Sequence, residues 1–179
     1  MKEITNARHI STKTGDEGFS RNYSNDKLSK TDVLFDTVGN IDEFSSTLGV
    51  CFHQTTLYKN EIMNIQKDLQ NIMSIIATNP EDKNYEKLTK IASEDINNLE
   101  SIEQVILNEK PLQPRFVLPG SESSIEGSYF DLSRAIARRC ERSVLKFKEF
   151  NTREDLGLVL KYLNRVSDLL FIMARSFDK

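Results

Sequence analysis

From about Thr31 onward, apolar residues recur at helical spacing, whereas the thirty residues before it show no period. Val38, Ile41, Phe44, Ser45, Leu48 and Phe52 share one face and predict a first helix. Ile62, Ile65, Leu69, Ile72, Met73 and Ile76 predict a second, stopped by "TNPED" at Pro80. Tyr85, Leu88, Ile91, Ile96, Leu99, Ile102 and Ile106 predict a third, ending before "EKPLQP". "RFVLPGSESS" reads as a short extended stretch and a turn. "SRAIARRCERSVLKFK", residues 133–148, predicts a fourth helix, with Gly127 starting it late. "TREDLGLVLKYLNRVSDLLFIMAR" predicts a fifth, behind a capping signal from Thr152 to Asp155. No repeat or sustained heptad appears. The pattern predicts an all-α fold, a bundle of about five helices with an irregular N-terminal loop. One domain is expected over 1–179, with 1–30 as the loop and 31–179 as the bundle.

The fourth helix carries two stripes. Leu132, Ile136, Cys140 and Val144 suit a core, while Arg134, Arg138 and Arg142, at i, i+4 and i+8, form a basic line with Arg139 beside it. Residues 134–148 hold six Arg or Lys against one Glu, inside a chain of net charge −3. A local basic site in a mildly acidic protein suggests a compact polyanion as ligand and argues against general nucleic-acid binding. Cys51 and Cys140 each fall on an apolar helix side, so buried free thiols in a reducing compartment are expected. "MKEITNARHIS" lacks a secretory apolar core, and no run reaches membrane-spanning length. The expected location is cytoplasmic, or an organelle matrix if a leader has been removed.

Several chemistries fall away. A di-iron bundle needs Glu-x-x-His pairs, and neither His9 nor His53 has a Glu at that spacing. Cys51-x-His53 has no second pair at zinc-site spacing, so no protein metal site is assigned. No P-loop or nucleophile elbow is present. Three pieces remain. "STKTGDEGFSRNYSNDKLSK" combines hydroxyls, Lys13 and Lys30, and two glycines that let backbone N–H groups approach an anion. The same composition also fits a plain polar N-terminus with turn glycines. In "VGNIDEFSSTLG", Asp42 borders the buried face and is a candidate partner for a fourth-helix arginine, with Glu43 solvated. The arginine stripe could be a site or a solvated face. Asn164, Arg165 and Asp168 could form an interior polar network marking a site or a subunit contact.

Together "TKTGDEGFS", "SKTD", "VGNIDEFSSTLG", "RFVLPG", "RAIARRCER" and "YLNRVSDLLFIMAR" resemble the ATP:cob(I)alamin adenosyltransferases of the helical-trimer, propanediol-utilisation type. The six motifs keep the family's order and cover about Ser11 to Arg175. This resemblance implies that ATP, as Mg²⁺ complex, and cobalamin meet in a cleft between subunits of a homotrimer. Co(I) then attacks the 5′ carbon of ATP, and triphosphate leaves. By matching position, Thr12, Lys13, Thr14, Gly15, Ser20, Arg21 and Lys30 would contact ATP, completed by Arg138, Arg139, Glu141, Arg142 and Asn164. Asp42 and Arg134 match a carboxylate and arginine that pair across the subunit boundary. Phe116 matches the aromatic residue that covers the lower face of cobalamin and displaces its axial base. The implied partners are a flavin-dependent reductase and an adenosylcobalamin-dependent enzyme, with no nucleic acid or membrane.

Some positions depart from the family pattern. Ser11 stands where many members carry Tyr, and Arg21 replaces a small hydroxyl residue. "LPGS" replaces "LPGG", and "ESSIEGSYFD" is about two residues longer than the usual link. Asp42, Arg134, Arg138 and Asn164 are all present, so an active enzyme is expected. The alternative is a carrier or regulator of the same fold that binds ATP and cobalamin with little turnover. A purely structural bundle would show no thermal shift with ATP.

Overall fold

The computed structural model describes residues 4–120 and 122–178. Its main elements are the strands β1 (Phe19–Arg21) and β2 (Lys27–Ser29) and five long helices. These are α1 (Val33–Gln54), α2 (Lys59–Ile76), α3 (Ser93–Glu109), α4 (Ile125–Asn151) and α5 (Gly157–Ser176). The all-α bundle is therefore borne out, with one amendment near the N-terminus. There β1 and β2 form an antiparallel hairpin whose turn is closed by Asn22 and Asp26.

The helices start where local chemistry lets them. Asp32 caps α1 through Leu34 N–H, and Ser124 caps α4 through Gly127 N–H. The fourth helix thus begins at Ile125, well before Ser133, and Gly127 does not delay it. Instead Gly127 is buried where α4 approaches α5: an added Cβ would lie 2.9 Å from the Ala174 carbonyl oxygen. The third helix is shorter than its apolar spacing suggested. Tyr85–Lys87 is a 3-10 turn, and α3 starts only at Ser93, although Tyr85 and Ile91 are buried. Thr152 does not cap α5; it ends α4 with left-handed backbone, and no side chain caps α5.

One apolar core joins α1, α2, α4 and α5, with α3 laid against α5. On α4 the buried positions are Gly127, Phe130, Asp131, Ser133, Ala137, Cys140, Val144 and Phe147. Leu132, expected in that stripe, is 50% exposed because it sits a quarter-turn away from Ser133. Both cysteines are free and buried, and burial pushes the Cys140 thiol up to about 12.

Cross-helix bonds fix the directions. Thr37 and Asn40 of α1 meet Ser143 of α4, while Cys51 meets Ser133, so α1 and α4 run antiparallel. Asp68 of α2 accepts from Tyr162 of α5, and Arg153, just before α5, donates to the Ile75 carbonyl, so these too are antiparallel. Glu100 meets Arg165, and Lys110 meets the carbonyl of Ser176, so α3 and α5 run parallel. The hairpin consequently sits at one end of the bundle, where α1 starts and α2 and α4 finish. The α3–α4 connection, which carries Phe116, sits at the other.

Candidate functional site

The N-terminal pieces gather at the hairpin. Thr14, Gly15, Ser20 and Arg21 line a cavity of about 460 Å³ with Phe19 and Lys27. Lys30 folds over Gly15 so closely that a Cβ there would lie 2.8 Å from its Nζ. A side chain at 15 would push the flexible end of Lys30 away from the backbone. Thr12 and Thr14 hydroxyls lie 3.0 Å apart, and Lys13 takes left-handed backbone at φ 60°. Arg21 donates to the Asn25 carbonyl at 2.6 Å, which turns part of its guanidinium onto its own hairpin.

The arginines of α4 divide. Arg138 and Arg142 are exposed and take no ion pair among the described residues, leaving their charge uncompensated. Arg139 pairs instead with Glu43 across to α1, both side chains about half exposed. Within the chain the α4 arginine that reaches α1 thus meets Glu43 and not Asp42. Asn40 faces α4 through Ser143, and Glu43, three residues on, shares that edge, whereas Asp42 is turned to solvent. Asp42 takes no ion pair among the described residues. Arg134 is half-buried, with Nε 3.8 Å from Asp131 Oδ1 and no hydrogen-bond partner.

Arg134 and Arg138 edge a groove of about 340 Å³ between α4 and α5. Asp168 and Ser167 contribute polar atoms to it, and Leu107, Leu112, Phe171 and Ile172 form its apolar wall. Glu141 accepts from Asn164 at 3.3 Å, bringing those two expected residues together. Asn164, Arg165 and Asp168 are half-buried and not interior; Arg165 spans Glu100 and Asp168 at the α3–α5 edge. Beside them Glu103, which the sequence reading passed over, has its carboxyl pushed up to about 7, chiefly by burial. Only the acid spacing of Glu100, Glu103 and Asp168 around Arg165 hinted at it.

Phe116 stands fully out of the protein, at 103% exposure. No hydrogen bond or ion pair among the described residues joins the N-terminal loop to the arginine stripe. Another cavity, about 750 Å³, holds none of the expected residues; Asp26, Glu81, Asp82, Glu154 and Asp155 outnumber Arg153 in its lining, an acidic setting unsuited to a triphosphate. Among the described residues no three metal-ligating side chains gather.

Known proteins share these parts. The model of the cobalamin adenosyltransferase family matches residues 10–177. The chain is 35% identical over 173 residues to the bovine corrinoid adenosyltransferase MMAB, covering 93% of this chain and 70% of that protein. It is 32% identical over 170 residues to a Citrobacter freundii corrinoid adenosyltransferase, covering 93% of each. Among solved structures it is similar to a Phe-to-Ala variant of the PduO-type ATP:corrinoid adenosyltransferase from Lactobacillus reuteri complexed with cobalamin and ATP. That likeness has a TM-score of 0.81 and 28% identity, covering 93% of this chain and 92% of the other. With the motifs in order and the fold shared nearly end to end, the chain belongs to the PduO type of the cobalamin adenosyltransferase family.

Proposed function

We propose that the chain transfers the 5′-deoxyadenosyl group of ATP to cob(I)alamin, giving adenosylcobalamin and inorganic triphosphate. Cob(I)alamin brings the electron pair: a cobalt–carbon bond forms at C5′ as the C5′–O bond breaks. No general base is needed, and the chain has only two histidines. The protein's task is orientation and charge, since the leaving group carries about four negative charges. Arg138 and Arg142, both without ion pairs among the described residues, and Lys13 and Lys30 supply the cations. Thr12, Thr14, Gly15, Ser20 and Arg21 hold the phosphate chain, with Arg139, Glu141 and Asn164 completing the nucleotide site. Mg²⁺ bound to ATP would add positive charge to offset the negative charge of the leaving triphosphate.

The site is completed by a neighbouring copy in a homotrimer. The observation that carries this is the separation of the parts. The loop and Phe116 lie at opposite ends of helices about 30 Å long, too far apart to serve one ATP–cobalamin pair. In the trimer the loop of one copy faces the arginines and Phe116 of the next, and Asp42 reaches the neighbour's underpartnered arginine at 134. Phe116 covers the lower corrin face. A flavin-dependent reductase supplies reduced cobalamin, and an adenosylcobalamin-dependent enzyme takes the product. Two free cysteines fit a reducing compartment such as the cytoplasm; among the described residues no helix is long and apolar enough to cross a membrane.

The test supplies ATP and chemically reduced cobalamin and follows the absorbance of the adenosylated product. Binding of both without product would make the chain a carrier of the same fold. Light scattering should give three times 20.6 kDa, and a monomer at working concentration would refute the shared site.

A further inference from the structure

Among the described residues between Lys110 and Ser124 there is no helix or strand, yet Phe116 there is fully exposed. A connection of this length holds a fixed shape only where something fastens it. Both of its ends are fastened to the same place, the last residue of α5 and the residues just after it. Lys110 Nζ donates to the Ser176 carbonyl at 2.9 Å and the Asp178 carbonyl at 2.5 Å. Ser123 forms an antiparallel bridge with Asp178. Arg115 and Glu122 pair across the neck between them.

Asp178 is itself held from behind. Its carboxylate lies 3.4 Å from Nη1 of Arg175, and Arg175 pairs with Asp131 of α4. Both members of that second pair are almost wholly buried, at 3% and 5% side-chain exposure. A buried ion pair is a weak source of net stability, because desolvation offsets its attraction. What it does supply is direction: charge-assisted hydrogen bonds fix angles that apolar packing leaves free to slide. Here each member also branches toward the site. Asp131 faces Arg134, and Arg175 faces Asp178. The groove beside Arg134 and a smaller cavity flanked by Arg115 and Val117 share Leu112 and Phe171 as walls.

We propose that Lys110, Arg175 and Asp178 form a clasp that positions the Phe116 loop against the corrin, with Asp131 setting Arg134 from the same anchor. This rests on the reading that Phe116 covers the lower face of cobalamin. All four are positioning residues that act through Phe116 or Arg134 and touch neither substrate.

The test uses Lys110→Met in the full chain, because Lys110 can be changed without leaving a buried charge unpaired. Adenosylation is measured from Co(II) with a reductant and from ready-made Co(I), alongside ATP affinity and melting temperature. Lys110→Met should lower the Co(II)-start rate by about 10-fold or more, since two carbonyl contacts to an ammonium are lost. The Co(I)-start rate, ATP affinity and melting temperature should stay near the parent's. Lys110→Arg, which keeps a cationic donor, should restore the rate. In a Phe116→Ala background Lys110→Met should add nothing, because the residue it positions is gone. If Lys110→Met folds poorly, Asp178→Asn should give the same split between cobalt states. Equal losses from both cobalt states, or an additive loss in the Phe116→Ala background, would overturn the clasp. An active parent with an unaffected Lys110→Met overturns it alone. A parent that makes no product even from Co(I) overturns the underlying reading as well.

Discussion

Truncating Phe116 to alanine separates packing from function more cleanly than any other change in this chain. A buried Phe→Ala substitution would cost about 3–5 kcal/mol. For a chain of 179 residues that is a fall of roughly 6–20 °C in melting temperature. Phe116 is fully exposed, so the substitution removes no buried apolar area and should change stability by less than about 0.5 kcal/mol. Its value appears only with cobalamin bound. A phenyl ring that covers roughly 150 Å² of the corrin face gains about 4 kcal/mol, at about 25 cal/mol per Å². That sum is the ceiling on what the ring can spend to drive the axial base from cobalt, and it corresponds to about three orders of magnitude in rate. The loss from a Co(II) start should fall between about tenfold and that ceiling, whereas a Co(I) start, where no axial ligand is to be removed, should lose far less. Anaerobic absorbance and electron paramagnetic resonance of the Co(II) complex give the coordination number directly. The four-coordinate species should dominate in the parent and largely vanish in the variant. A melting temperature lowered by several degrees, or equal losses from both cobalt states, would refute the assignment.

If Arg138 holds its proposed place, Arg138→Ala should lower the adenosylation rate from Co(I) by about 30- to 1,000-fold, because it removes a cation aimed at the leaving triphosphate; unchanged kinetics would return the stripe to a solvated face. Glu103 offers a pH test. Burial foremost, with Asp168 and Glu100 adding and Arg165 opposing, raises its carboxyl from 4.5 to about 7. The folded state therefore holds a proton that the unfolded state releases in this window, so stability should fall as pH rises from 4.5 to 7. For this half-exposed group the fall should be about 1 kcal/mol, and Glu103→Gln should flatten it in pH-dependent urea melts. Gly127→Ala should cost about 1–3 kcal/mol in thermal melts, because its Cβ meets the backbone oxygen of Ala174 and Phe177 Cβ, each at 2.9 Å.

The long helices were legible because a 3.6-residue apolar period continued for many turns gives one answer. The same rule misled at Tyr85, Leu88 and Ile91, which are spaced like a helix and are buried or half-buried, yet lie in a 3-10 turn and an extended stretch. Burial sets which residues are apolar, and several backbone shapes can satisfy it. The hairpin was missed because strands of three residues carry too little alternation, although "RNYSND" between Ser20 and Lys27 was a turn signal. Among the site residues, chemistry was legible and geometry was not. Which of Asp42 and Glu43 faces α4 depends on the rotation of α1, fixed by Thr37, Asn40 and Cys51 against Ser143 and Ser133. The separation of the loop from Phe116 depends on helix directions, about which periodicity says nothing.

The hairpin's mooring has a consequence for motion. Tyr23 N–H donates to the Ala77 carbonyl, and Asn79 meets both Ser24 and Asp26, so the loop hangs from the end of α2. That end is in turn held by the buried Arg153, which donates to the carbonyls of Ile75 and Thr78. The proposed nucleotide loop can therefore open by breaking a handful of bonds, while the core between α1, α4 and α5 stays shut. Hydrogen exchange should find the Tyr23 amide opening with far less free energy than amides in α4, and ATP should slow it. Asn79, which has no place among the nucleotide contacts, would then govern how much disorder ATP must quench on arrival, and so how fast the nucleotide leaves.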